Sequence, residues 1–405
     1  MYMKINYLPW KPLLLTIAVL SACGKKSADP DPAPPSTPPT VSIEDVALFE
    51  GNTASQQFSV SVSLSRNAEK EVSVKWSTAE GTAKAGGDFT AVDNATLVFA
   101  PGEKTKSVTV VVSGDDIREP DETFSIQLSS PSNATLSRST ATVSIKNDDS
   151  KIVINNAGYD AATTYVGKTL VWSDECDGPA VDIQSWTFQN GDGCPNICGW
   201  GNNELEYYRP ENLTFQEGKM LIEAKKESLG GRAYTSSKII GAGKNAFKYG
   251  RIDIRAILPK GKGFWPAFWL LPEGNKFGNW PTSGEIDIME LVGNEPGKVL
   301  GTVHYGPGPG SIHTSGTYTL PGSKTFNDEF HVFSLEWEED TIRWYVDDQL
   351  FYTVTKTMVA PQTYPFNEDF FFIVNFAVGG NWPGSPDATS VFPQWLIVDY
   401  IRLYQ

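Results

Sequence analysis

Gly284-Glu285-Ile286-Asp287-Ile288-Met289-Glu290 decides how the larger part of this chain is read. Three carboxylates are separated by apolar side chains. Such alternation marks a β-strand with one face buried and one open. Side chains alternate along a strand, so Glu285 and Asp287 share a side. Glu290 follows Glu285 by an odd number of positions, and a regular strand would turn it into the core. An unpaired carboxylate there would cost on the order of several kcal/mol. A single inserted residue, a β-bulge at Ile288 or Met289, restores the parity and brings all three acids to one face.

With the bulge, Glu285 and Glu290 stand roughly 13 Å apart between Cα atoms. Leaning together, they leave roughly 5–6 Å between carboxyl groups, the spacing of a double-displacement glycosidase; inverting enzymes need more room for a water. Three clustered acids cannot all ionise freely, so at least one keeps its proton to higher pH. The plainer alternative is a solvated acidic strand face. The apolar spacers and the aromatic flanks, Trp280 before and His304-Tyr305 after, weigh against it.

The 405 residues show no long helical periodicity, so two or three domains are expected. Twelve per cent aromatic residues, with 12 Trp and many Gly and Pro, suit an all-β chain rich in turns. The net charge of −15 argues against nucleic acid as a partner and leaves a neutral sugar open. Lys4 and Lys11 precede the apolar run 13–20, too short for a permanent membrane span. Leu20-Ser21-Ala22-Cys23 resembles a bacterial lipobox. This implies a signal peptide over 1–22, lipidation of Cys23, and an outer-membrane lipoprotein of the cell envelope; an ordinary signal peptide with an incidental Cys is the alternative. Residues 23–39, with Pro34-Pro35 and Pro38-Pro39, read as an extended linker. Cys194-Pro-Asn-Ile-Cys198 lies in a Gly- and Asn-rich loop and favours a local disulfide, which leaves Cys176 a free buried thiol. A metal site there lacks further ligands at suitable spacing.

Residues 40–149 alternate with period two, as at Phe58, Val60, Val62 and Leu64, and predict a β-sandwich of about seven strands. Gly81-Thr-Ala-Lys-Ala-Gly-Gly-Asp88-Phe89, Pro101-Gly-Glu103, Glu119-Pro-Asp-Glu-Thr-Phe124 and Asn147-Asp148-Asp149 together resemble a Calx-β domain. The resemblance implies Ca²⁺ ligands at Glu50, Asp88, Asp115, Asp116, Glu122, Asp148 and Asp149, oxygen donors suited to that ion. Solvated turn acids on a spacer are the alternative.

Residues 150–405 are again β-rich, and no second break in composition divides them. Val171-Trp-Ser-Asp-Glu-Cys176, Gly199-Trp-Gly-Asn-Asn203, Tyr234-Thr-Ser236, Trp265-Pro-Ala-Phe-Trp269, the acid strand, His304-Tyr-Gly306 and Ala377-Val-Gly-Gly-Asn-Trp-Pro-Gly384 occur in that order. They resemble the laminarinase-type members of glycoside hydrolase family 16. The resemblance implies an all-β, concanavalin-like jelly roll with a cleft on its concave face, and endo-hydrolysis of β-1,3-glucan. Glu285 matches the nucleophile, Glu290 the acid/base, and Asp287 the residue supporting both. A structural Ca²⁺ would be held by Glu175, the Gly218 carbonyl and Asp399, with no cofactor for catalysis. The chain departs from the family at Lys238, where Arg is more usual, and at Cys176, where Phe is usual.

A pyranose presents an apolar C–H face to flat aromatics and hydroxyls to polar groups. Trp265, Trp269, Trp280 and Trp382 are the candidate stacking surfaces, and Asn202, Asn203 and His304 the candidate hydrogen-bonding groups. Core packing is the alternative for Trp269; His313 and His331 read as structural. The expected partners are a β-glucan and, through the lipid, a membrane; the expected state is a monomer. Hydrolysis of mixed-linkage β-1,3-1,4-glucan or of a galactan, and glycan binding without cleavage by a surface lipoprotein, are the competing readings.

Overall fold

The computed structural model describes residues 37–52, 55–308 and 312–405. The lipobox Cys23, the signal segment and most of the linker lie outside the described residues. The chain forms two compact units, divided between Ser150 and Lys151.

The first unit is a β-sandwich of nine strand segments, not seven. Its sheets run Thr105–Val112, Gln56–Leu64, Thr40–Ile43, Thr135–Arg138 and Val46–Phe49, Thr140–Lys146, Glu122–Ser132, Val72–Glu80, Ala95–Phe99. Two local events add the extra segments. The opening strand breaks at Glu44-Asp45 and its halves join different sheets. Asn133 takes a left-handed conformation that turns the chain into Thr135–Arg138. Alternation along the strands buries Val60, Val62, Trp76, Phe99, Val110, Phe124 and Ile126 between the sheets.

The second unit packs two eight-stranded sheets over one core rich in aromatic residues. One sheet runs Leu213–Gln216, Lys219–Ala224, Gln394–Tyr404, Gly250–Ile257, His331–Glu338, Thr341–Val346, Gln349–Thr355, with Leu170–Asp174 also on Gln394–Tyr404. The other runs Thr187–Phe188, Lys238–Ile240, Phe370–Val378, Phe264–Pro272, Glu285–Glu290, Lys298–Tyr305, Ile312–Thr319, with Ala246–Phe247 also on Phe370–Val378. The acid strand thus lies inside its sheet, paired on both edges.

The pairing register contains the expected bulge. On one side Trp269 and Ala267 face Asp287 and Glu290. On the other, Thr302 and Leu300 face the same two acids. Both neighbours advance by two residues while the acid strand advances by three. Ile288 and Met289 are therefore both turned inward, 2% and 0% exposed, and Glu290 returns to the face of Glu285 and Asp287. The irregularity is supported from the opposite sheet: Trp344 Nε1 donates to the Asp287 carbonyl at 2.8 Å in the core. Gly301, opposite the bulge, leaves room for that indole; a Cβ there would stand 2.3 Å from Trp344 Cδ1.

Trp344→Phe leaves a buried carbonyl without its donor. We expect a loss of about 1–3 kcal/mol of stability, read as a lower melting temperature, together with a lower kcat as Glu290 loses its support. Unchanged values for both would show that the bulge stands without the indole.

Candidate active site

The register lays the cleft floor out as rows across the sheet. Lys238, Asn375, Ala267, Glu290 and Leu300 form one row. Trp269, Asp287, Thr302 and Ser315 form the next. Glu285, His304 and His313 form the third. The small Ala267 beside Glu290, between Trp265 and Trp269 on the same strand face, leaves space over the acid.

Each outer acid receives an indole N–H. Trp280 Nε1 donates to Glu285 Oε2 at 2.6 Å, and Trp265 Nε1 donates to Glu290 Oε1 at 3.1 Å. His304 Nε2 lies 3.2 Å from Asp287 Oδ2 and 3.7 Å from Glu285 Oε1. Glu285, Asp287 and His304 each bring one nitrogen or oxygen atom within 4.8 Å of the others. Burial pushes all three carboxyls above the ordinary carboxylate range. Repulsion from Asp287 adds to this at Glu285, and repulsion from both Asp287 and Glu285 adds to it at Glu290. His304, the Trp280 N–H and the Lys238 ammonium favour the anion at Glu285. His304 and the Trp265 N–H favour the anion at Glu290 in the same way, so the two outer acids differ in which indole each receives and in the Lys238 charge near Glu285.

The aromatic walls flank this centre. Trp280 is 53% exposed at the Glu285 end, tilted against His304 at 6.2 Å. Trp382, 42% exposed, meets Trp265 edge-on at 5.5 Å at the Glu290 end. Asn202 and Asn203 first hold the two loops of that wall together. The Asn202 carbonyl accepts the Asn381 N–H at 2.8 Å, and Asn203 Nδ2 donates to Asn381 Oδ1 at 2.8 Å. Trp269 belongs to the floor, not the core, with its N–H donated to Asn375 Oδ1 at 2.7 Å.

Residues 200–395 match the family described as glycosyl hydrolases family 16, and 36–149 match the Calx-beta domain. A beta-glucan synthesis-associated family also matches 107–284. The chain is 41% identical over 260 residues to glucan endo-1,3-beta-glucosidase A1 of Niallia circulans, covering 59% of this chain and 38% of that protein. It is 42% identical over 250 residues to the beta-glucanase of Rhodothermus marinus, covering 58% of this chain and 85% of that protein. The laminarinase catalytic domain of Thermotoga maritima superposes with a TM-score of 0.56 at 46% identity, over 59% of this chain and 98% of that one.

The chain belongs to glycosyl hydrolase family 16. It is a glycoside hydrolase with an N-terminal Calx-β domain.

Within this family 16 site, sequence reasoning missed a buried polar network behind the floor. Asn375 Nδ2 donates to Tyr208 OH at 3.0 Å, and Tyr208 OH donates to Glu204 Oε2 at 3.2 Å. Asn202 Nδ2 also reaches Glu204, at 3.1 Å. The Lys238 ammonium lies over the rings of Trp200 and Trp269 at 4.6 and 5.0 Å. Asn375 was visible as a polar residue inside the apolar run 370–378. His313 stands exposed beside His304 at 5.5 Å on the same floor row.

Of the residues expected to hold a structural Ca²⁺, Glu175, Gly218 and Asp399, the two acids carry ion pairs. Glu175 is paired twice with Arg402, at 2.9 and 2.7 Å. Asp399 gives one oxygen to Arg255 at 2.5 Å and the other to Lys219 at 2.9 Å. Cys194 and Cys198 are bonded, and Cys176 is a buried free thiol. In the Calx-β unit the acids gather in two groups, Glu50 with Asp148 and Asp149, and Asp88 with Glu119 and Glu122. Glu119 joins where Asp115 and Asp116 were expected. Burial and the neighbouring acids push Glu50 up to about 7.

A carboxyl whose value is raised on folding lends stability below its unfolded value and loses it as pH rises through the folded one. We expect Glu290→Gln to melt at a higher temperature than the native chain at pH 8. The gap should close towards pH 4, where Glu290 is protonated in both states. A gap independent of pH would contradict the burial of a titrating Glu290.

Proposed function

We propose that this hydrolase cleaves β-1,3-glucan internally, with retention, through a covalent glycosyl-enzyme. The observation that carries the reading is the bulge, which aims Glu285 and Glu290 at one space from a single strand. Glu285 attacks the anomeric carbon while Glu290 gives its proton to the departing oxygen. Glu290, now a carboxylate, takes a proton from water, and the hydroxide attacks the same carbon and frees Glu285. Asp287 shares its proton and charge with Glu285 across these steps. The exposed Trp280 and Trp382 at the two ends leave a polymer chain free to lie across the acids. The glucanase names of relatives at 41–42% identity support the glucan over the keratan-sulfate galactan acted on by a relative at 30%. A neighbour at 34% identity, a non-specific endo-beta-1,3(4)-glucanase, makes mixed-linkage glucan the side activity to measure.

Glu285→Gln should abolish turnover of laminarin with the fold intact. Azide should rescue Glu285→Gly and give an α-glycosyl azide. Rescue of a Glu290 variant with β-product instead would exchange the two roles. Turnover of agarose in preference to laminarin, curdlan and lichenan would replace the substrate.

The lipobox reading places the enzyme at the outer membrane through Cys23, as a monomer. Cys23→Ala should move it from the membrane to the soluble fraction and remove palmitate labelling; unchanged fractionation would refute the anchor. We also infer that the two acid groups of the Calx-β unit bind Ca²⁺. Millimolar Ca²⁺ should raise the melting temperature of the native chain and not that of Glu50→Gln/Glu122→Gln. Equal responses would remove the calcium role.

A further inference from the structure

The floor of the cleft does not stop at His304. Beyond Lys298–Tyr305 the sheet has one more strand, Ile312–Thr319, which forms its edge. The pairing of these two strands runs without a shift from Lys298 with Thr319 to Tyr305 with Ile312, so the face of every side chain is set. His313, Ser315 and Thr317 lie opposite His304, Thr302 and Leu300 and share the face of the three acids. All three are exposed. The other face of the edge strand is tied into the fold. The Thr314 hydroxyl is bonded to the Tyr352 hydroxyl, and the Tyr318 ring lies 5.8 Å from that of Phe351. Gly316 lies so close to Tyr352 that a Cβ would stand 2.2 Å from its Cγ. The edge strand therefore presents its cleft-side groups from fixed positions.

A solvated edge needs only polar side chains, and Ser315 and Thr317 meet that need. His313 adds an imidazole in the row of Glu285. The rings of Trp280, His304 and His313 follow one another at 6.2 and 5.5 Å, each tilted by 39° to the next. Exposure grows outward along the row: the side chains of Glu285 and His304 are 15% and 20% exposed, and His313 is open to solvent. Trp280 and Trp382 stand at opposite ends of the acid strand, so the open direction between them crosses the strands. Strands are spaced by about 4.8 Å, close to the advance of one pyranose along an extended glycan. A bond cut over the acid strand is thus followed by one sugar over Lys298–Tyr305 and a second over Ile312–Thr319.

This inference rests on the reading of the cleft as a glycan-cleaving site. We propose that His313 binds the second sugar from the cleaved bond, on the side of the edge strand, by a hydrogen bond between its ring and a hydroxyl. An imidazole can give or accept that bond, so the sugar it takes is neutral and needs no charged group. The contact makes the cleft favour chains long enough to reach the edge strand over chains that end short of it.

The test uses the full chain and two sets of β-1,3-glucan oligosaccharides, one too short to reach from the acids to Ile312–Thr319 and one long enough. Binding is measured by calorimetry in the Glu285→Gln chain, with and without His313→Ala. That change removes an exposed side chain and should leave the melting temperature unchanged. It should weaken binding of the long set about fivefold and leave the short set unchanged. In the otherwise native chain, His313→Ala should raise KM for the long set by a similar factor, leave kcat unchanged and shift the positions of cleavage. Equal affinity of both chains for the long set overturns the proposal. An equal loss on short and long sets also overturns it, since His313 would then act at the acids or through the fold. A chain that binds and cuts lichenan or agarose oligosaccharides in place of these refutes the β-1,3-glucan reading alone, and the same comparison of lengths in that series judges His313. A chain that binds no glycan of any length refutes the cleft reading and this contact with it.

Discussion

One hydrogen bond through the core, from the Trp344 indole to the Asp287 carbonyl, stands under the whole site. A bulge leaves backbone groups off the ladder, and a buried carbonyl without a donor is costly. Here the donor comes from the other sheet, so the irregular strand is tied to the packing of the sandwich. Gly301 is the counterpart of that tie, since any side chain there would displace the indole. The acids are positioned by a core contact and two registers, and the surrounding loops supply only the walls.

Three carboxyls under one surface would repel each other and the core below them. The fold answers with donors that are weak or distributed: two indole N–H groups, one imidazole, and an ammonium set back over aromatic rings. Behind them Asn375, Tyr208 and Glu204 fix the floor by hydrogen bonds of their own. The large aromatic core on which this rests stabilises the unit by burial, while the polar network contributes orientation more than free energy.

The bulge was legible because it follows from counting: an odd spacing between two acids and the cost of burying one of them. The Calx-β alternation was legible for the same reason, but its opening strand splits at Glu44-Asp45, where no change of period announces a change of sheet. Partnerships between distant residues were not legible. Glu175 meets Arg402 227 positions away, and Asp399 meets Arg255 144 positions away. A sequence shows the carboxylates and not the cations that reach them. The place of His313 beside His304 was hidden for a related reason: it depends on the pairing of two strands, which only the fold reveals.

Glu175 and Glu290 differ in the donors that touch them: a guanidinium at the first and an indole at the second. Arg402 grips both oxygens of Glu175 and holds its carboxyl below the ordinary range. Such a group can anchor a sheet, and its charge is held by its partner. Trp265 fixes the direction of Glu290 with a neutral donor and adds no full charge. Burial and the neighbouring acids then keep that carboxyl above the ordinary range, where it can hold a proton and part with it. Orientation and acidity are set by different groups, and the small Ala267 beside Glu290 leaves space over that carboxyl.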